Sequence, residues 1–291
     1  MPVLKDLEIG VMFWAGRDPY ETIRELKSWG VRCGQMGIPG EMPLEGAAAQ
    51  WRAALADENF TVVTVFAAYI GESYADIPTV RETVGFVPLA TRAEREARTL
   101  AVSDFAAGIG VDGIATHIGC IPEDRESQDY RDLCEMVRRV CDRAAAQGQT
   151  FALETGQESA DALLAFLLAA GRENLRVNFD PANMILYGTG DPIDALSTLG
   201  PHVITVHCKD GDWPPRDSPG ALGTEKTLGQ GSVGMQRFVA KLREIGYKGP
   251  LTIEREASDP VARQRDILSG AALLRELIGT TFRNAPARPA V

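Results

Sequence analysis

The chain of 291 residues carries 40 acidic against 30 basic side chains, a net charge of −10, with 45% apolar and 24% charged residues. That balance is ordinary for a globular protein with room for one large α/β domain, and its sign argues against nucleic acid as a partner. No run approaches the length of a membrane span, and the start, Met1-Pro-Val-Leu-Lys-Asp, lacks a signal peptide's apolar core. Five cysteines (Cys33, Cys120, Cys134, Cys141, Cys208) with no C-x-x-C pair read as reduced, mostly buried thiols of a cytoplasmic protein.

Strand and helix patterns alternate eight times along the chain. The first strand, 8–14, ends on Trp14, a candidate substrate contact. Asp18-Pro19 then opens a helix, with the carboxylate at the N-cap and proline at the first helical position; Asp191-Pro192 and Asp259-Pro260 repeat the device. Gly30 and Gly246 sit where a left-handed C-cap is expected. Strands at 31–36 and 60–69 are followed by a long loop, 70–90, and by a capping box of Thr91 with Glu94. Strand four, 112–117, ends on His117, and after a loop at 118–127 one helix face carries Tyr130, Leu133, Val137, Cys141 and Ala144.

The last four strands, 150–154, 175–180, 202–207 and 250–254, end on Glu154, Asp180, His207 and Glu254. Eight βα units in about 280 residues predict a single-domain (β/α)8 TIM barrel over 1–280, with 281–291 as a disordered tail. An open doubly wound sheet would scatter these four residues along one edge, whereas a closed barrel gathers them at one mouth. Each has a duller reading. Asp180 precedes Pro181 and could simply cap a helix, Glu154 could pair with an arginine, and His207 could be a core histidine. Glu254 could pair with Arg255, although strand neighbours point to opposite faces. Their joint occurrence at consecutive strand ends favours a shared divalent metal, because buried charges need compensation. Three oxygen donors with one imidazole suit Mn2+ first, then Mg2+ or Co2+.

Other residues surround this set. His117 either contacts substrate, supports Glu154 or packs in the core, and Glu158 either binds a substrate hydroxyl or charges a helix N-terminus. The long loop 208–233 holds Trp213, Pro214, Pro215 and Arg216 and reads as a substrate-facing lid. Lys209, Arg216 and Lys226 either bind a phosphate or are solvated, and His202 starts its strand at the far end of the barrel. Gly229-Gln-Gly231-Ser-Val-Gly234 matches a dinucleotide fingerprint but lacks the strand immediately before it. Those glycines are expected to shape a turn whose N–H groups face a substrate oxygen.

Leu-Glu154-Thr-Gly, Phe-Asp180-Pro-Ala-Asn183, Val-His207-Cys-Lys-Asp210 and Ile-Glu254 resemble the four ordered signatures of the xylose isomerase-like TIM barrels. The nearest branch is that of the sugar (phosphate) isomerases and epimerases, with ketose 3-epimerases and inosose isomerases and dehydratases. The resemblance implies that Glu154 and Glu254 bind the metal, face opposite sides of a keto-sugar or related polyol, and act as catalytic acid and base through a cis-enediolate. Asn183 and Asp210, within the second and third motifs, join the expected substrate contacts. Several ketose 3-epimerases have a histidine where this chain has Asn183, which cannot carry a proton charge at neutral pH. A lyase acting on an inosose or a 3-keto-glycoside therefore stays open, as does a non-catalytic sugar- or metal-binding barrel. The related apurinic endonucleases hold three zinc ions with many histidines, and this chain has only His117, His202 and His207. A homo-oligomer is compatible with the resemblance.

Overall fold

In the computed structural model, residues 4–283 are described. Ten strands and ten helices follow one another as β1 (Ile9–Trp14), α1 (Pro19–Ser28), β2 (Cys33–Ile38), α2 (Ala47–Asp57), β3 (Thr61–Ala67), α3 (Ile77–Thr83), α4 (Arg92–Ile109) and β4 (Gly113–Thr116). Then come α5 (Gln128–Ala146), β5 (Thr150–Glu154), α6 (Ala160–Ala170), β6 (Leu175–Phe179), α7 (Pro181–Tyr187), α8 (Pro192–Leu199), β7 (Val203–Cys208), β8 (Asp210–Asp212), β9 (Thr224–Lys226), α9 (Met235–Glu244), β10 (Leu251–Ile253) and α10 (Pro260–Arg283). Eight of the strands close a parallel barrel in the order β1-β10-β7-β6-β5-β4-β3-β2, while β8 and β9 form a separate antiparallel hairpin. The chain is thus a single (β/α)8 barrel domain, as the alternation predicts.

The caps explain why the helices start where they do. Asp18 accepts from the N–H groups of Tyr20 and Glu21, and Asp191 from those of Ile193 and Asp194, each with proline at the first turn. Gly30 and Gly246 have φ of 76° and 78°, the left-handed geometry their positions call for. The capping box does not form: the Thr91 hydroxyl makes no cap bond and is buried without a partner, and its backbone is already near-helical.

Side-chain alternation sorts each strand between two cores. In β5, Phe151 and Leu153 pack into the main shell between barrel and helices, while Ala152 joins Phe66 and Ala115 in a small cluster inside the barrel. Two register irregularities, at Gly34/Gln35 against β3 and at Val177/Asn178 against β7, fall beside the polar centre of the barrel. The long loops carry more structure than expected: 70–90 contains α3, and 208–233 contains the β8–β9 hairpin. Helix α10 runs three residues into the stretch 281–291 that the sequence marks as a tail, and residues 284–291 lie outside those described. No helix among the described residues is long and apolar enough to cross a membrane.

Candidate metal centre

One ligand atom from each of Glu154, Asp180, His207 and Glu254 lies within 4.8 Å of every other. Glu154 ends β5, Asp180 follows β6, His207 is the penultimate residue of β7, and Glu254 follows β10. The parallel barrel therefore delivers all four to one mouth, at the C-terminal ends of the strands.

Asp180 does two jobs with two oxygens. Oδ1 accepts from the backbone N–H groups of Ala182 and Asn183 and so caps α7. Oδ2 is buried, accepts no hydrogen bond, and lies 3.4 Å from His207 Nδ1. A buried carboxylate oxygen left bare beside the cluster is what a cation site provides. His207 Nδ1 also lies 2.9 Å from Glu154 Oε1 and 3.0 Å from Glu254 Oε2. Burial opposes charge on this ring, but Glu254, Glu154 and Asp180 outweigh it and hold the imidazole well above its ordinary value. The cluster thus attracts positive charge strongly, and its donors, three oxygens and one nitrogen without a thiolate, fit a hard divalent ion. Cys208 is no competitor, since its thiol belongs to the outer core and burial pushes its pKa up.

The two glutamates differ in their partners. Glu154 Oε2 meets His117 Nε2 at 3.0 Å, and its Oε1 accepts from Asn183 Nδ2 at 3.2 Å. Burial favours the neutral acid, yet His117 and His207 override it and depress the Glu154 pKa. The same contact, against burial, lifts His117 to about 9. Glu254 faces His207 and the Lys209 ammonium, 3.2 Å from its Oε2, which depress its pKa against burial. Lys209 is 3% exposed and reaches Glu256 Oε1 at 3.0 Å as well.

A cavity of about 350 Å3 opens beside this cluster, lined in part by Tyr74, His117, Asn183, Tyr187, Lys209 and Glu256. Of the expected substrate contacts, His117 and Asn183 line it, and both touch Glu154. Glu158 is elsewhere, with Oε1 accepting from the Ile121 N–H in the loop after β4. Trp14 is half-exposed at the rim and does not line the cavity. Arg216 is exposed between β8 and β9. Asp210 is fully engaged by the protein: its two oxygens accept from the N–H groups of Gly211, Gly229, Gly231 and Val233. The glycine-rich turn therefore holds an internal carboxylate where a substrate oxygen was the expectation. A Cβ on Gly231 would stand 2.4 Å from Asp210 Oδ1, which explains the glycine there. A larger hollow of about 720 Å3, around Arg17, Glu41 and Trp51, holds none of the ligand residues.

Gln35, Tyr74 and Tyr187 are neighbours without an assignment from the sequence, and Lys209, expected either to bind a phosphate or to be solvated, is buried against Glu254 and Glu256. Of the unassigned three, only Gln35 left a signal, as a polar residue amid an apolar strand. His202 lies in the turn before β7, at the opposite end of the barrel from the cluster.

Comparison with known proteins agrees with the barrel fold. A solved structure of a xylose isomerase domain protein from Planctomyces limnophilus is 42% identical, with a TM-score of 0.89 over 96% of this chain and 99% of that one. A xylose isomerase-like TIM barrel protein from Mycobacterium smegmatis, solved in complex with magnesium, is 16% identical with a TM-score of 0.69, over 94% of this chain and 97% of that one. D-Allulose 3-epimerase from Methylomonas sp., solved with D-allulose, is 18% identical with a TM-score of 0.68, over 95% of this chain and 98% of its own. The uncharacterised protein YihM of Escherichia coli K12 is 33% identical over 105 residues, and the match spans 35% of this chain but only 31% of that protein. Residues 23–277 match the family described as xylose isomerase-like TIM barrel, and the chain belongs to that family.

Proposed function

We propose that the chain is a divalent-metal-dependent sugar isomerase or epimerase that moves a proton on a keto-sugar or related polyol, with Glu154 and Glu254 as base and acid. The observation that carries this reading is that both glutamates belong to one donor cluster around His207, while the groups that hold each of them, His117 and Asn183 for Glu154 and Lys209 for Glu254, line one monosaccharide-sized cavity. Glu154, Asp180, His207 and Glu254 would hold the ion, with Mn2+ the first choice for an oxygen-rich set. A bound divalent ion supplies Lewis-acid stabilisation for a carbonyl oxygen and so acidifies the neighbouring C–H.

The protein's own residues do the rest. One glutamate accepts the proton from the carbon, and the other delivers a proton to the opposite face, which inverts that carbon. Delivery to the former carbonyl carbon gives aldose–ketose isomerisation instead. His117 Nε2, 3.0 Å from Glu154 Oε2, steadies that carboxylate and can exchange a proton with it. Asn183 fixes the other Glu154 oxygen without itself titrating. Tyr74, Tyr187 and Leu222 wall the cavity and restrict water around the reacting carbon.

The solved D-allulose 3-epimerase supports a keto-sugar substrate, and the magnesium-bound relative supports a divalent ion. The test is metal analysis of the purified protein, followed by proton NMR of keto-sugars in D2O with Mn2+ present. Deuterium should enter at the reacting carbon; turnover without exchange would rule the proton transfer out. An ultraviolet-absorbing unsaturated ketone among the products would instead identify a lyase.

A further inference from the structure

We infer that the cavity takes an uncharged sugar and rejects a phosphorylated one, through a hydroxyl-reading pair formed by Lys209 and Glu256; this rests on the sugar isomerase reading above. Lys209 Nζ stands 3.0 Å from Glu256 Oε1 and 3.2 Å from Glu254 Oε2, so its charge is already matched by two carboxylates. Glu225 also lines the cavity, and it holds the guanidinium of Arg255 at 2.8 Å, which Asp266 also holds at 3.0 Å. His117 is likewise engaged by Glu154. Every cationic group lining the cavity therefore has a carboxylate partner before a ligand enters, and Glu225 and Glu256 add negative charge to the wall.

The chemistry of the pair explains the selectivity. A hydroxyl both donates and accepts, so it can donate to the Glu256 carboxylate while accepting from the Lys209 ammonium. A phosphate dianion only accepts, and would meet the Glu256 and Glu225 oxygens with no proton to offer. Glu256 is 65% exposed at its side chain, so it marks the outer end of the cavity, while the buried Lys209 and Asn183, which touch Glu254 and Glu154, mark the inner end. The volume of about 350 Å3 accommodates a monosaccharide lying between them.

The test uses the full chain loaded with Mn2+ and freed of excess ion. Isothermal titration and solvent-deuterium exchange are compared for D-fructose against D-fructose 6-phosphate, and for D-ribulose against D-ribulose 5-phosphate. The free sugar should bind at least about tenfold more tightly than its phosphate, the ratio that roughly 1.4 kcal/mol produces. Glu256→Gln should narrow that ratio and weaken the free sugar. Phosphate esters that bind or exchange as well as the free sugars overturn the inference and leave the isomerase reading standing. A preference unchanged in Glu256→Gln overturns the role of the pair. Absence of exchange with all four probes counts against the isomerase reading, and the inference falls with it.

Discussion

Gln35 and His207 meet inside the barrel, the amide Oε1 3.2 Å from the ring Nε2. Gln35 Nε2 donates to Thr205 Oγ1 at 2.7 Å and to Asn178 Oδ1 at 3.2 Å, which turns the amide oxygen toward the histidine. An oxygen in that place accepts only from an Nε2–H, so the other ring nitrogen, Nδ1, faces the three carboxylates. Gln35→Met keeps the length and removes the acceptor. It should weaken Mn2+ binding by about 10- to 100-fold, the usual effect of losing such a support, with the circular dichroism spectrum unchanged. Titration calorimetry giving wild-type affinity would show that the ring is oriented by something else.

Asp180 lets its cap and its proposed ligand role be separated. Asparagine can still accept the Ala182 and Asn183 N–H groups through its side-chain oxygen but brings no second carboxylate oxygen. Asp180→Asn should lose bound metal while preserving the start of α7. Asp180→Ala should lose the metal and, in addition, about 1 kcal/mol of stability from the missing cap. Metal content by plasma mass spectrometry and denaturant unfolding with chelator present distinguish the two. Asparagine and alanine variants of equal chelated stability would refute the division of labour.

Legibility in the sequence followed local physics. Asp-Pro pairs and terminal glycines expose helix ends because capping is a matter of a few adjacent residues, and the barrel follows from their alternation with apolar strands. The four candidate ligands stand out because charge at the end of an apolar run is costly. Gln35 stands out as a polar residue in an apolar strand, but the direction it faces is obscured because all six positions of β2 are buried, which erases the alternation. Lys209 reads in the sequence as a phosphate ligand or a solvated lysine, since its partners Glu254 and Glu256 lie 45 and 47 residues away. Thr91 and Glu94 have the right spacing for a capping box, but the backbone at Thr91 is not extended as the motif needs. Asp210 has the residue type of a substrate contact, and only the folded turn reveals the four N–H groups that occupy it.

The electrostatics of the centre predict different pH behaviour with and without metal. In chelator, His207 has a folded-state value raised above 6.5, because Glu254, Glu154 and Asp180 outweigh the effect of burial. Its contribution to stability is fully present below the unfolded value and is lost as pH rises through the folded one. Glu154 and Glu254 are depressed against burial by His207 and its neighbours, so their contribution is present above the ordinary carboxylate range and is lost as pH falls through their folded values. A metal ion displaces the ring proton, so affinity should rise with pH and binding should release a proton. Calorimetry in buffers of different ionisation enthalpy measures that release. A melting temperature whose pH profile is the same in EDTA and in Mn2+ would contradict this account.

Glu158 tests electrostatics away from the ligands. Burial pushes its carboxyl up to about 8 despite the hydrogen bond from the Ile121 N–H, and its second oxygen is buried without a partner. In the unfolded chain the group ionises near 4.5, whereas in the folded protein it keeps its proton until about 8. Folding stability from this group is therefore complete below the unfolded value and declines as pH rises through that interval. Glu158→Gln can still accept the Ile121 bond through its amide oxygen, but it has no proton to lose. Its melting temperature should fall less than wild type between about pH 5 and pH 8, with the variant the more stable at the upper end. Parallel melting curves for the two proteins across that range would mean that the carboxyl is already ionised, and that it braces the loop after β4 as an anion.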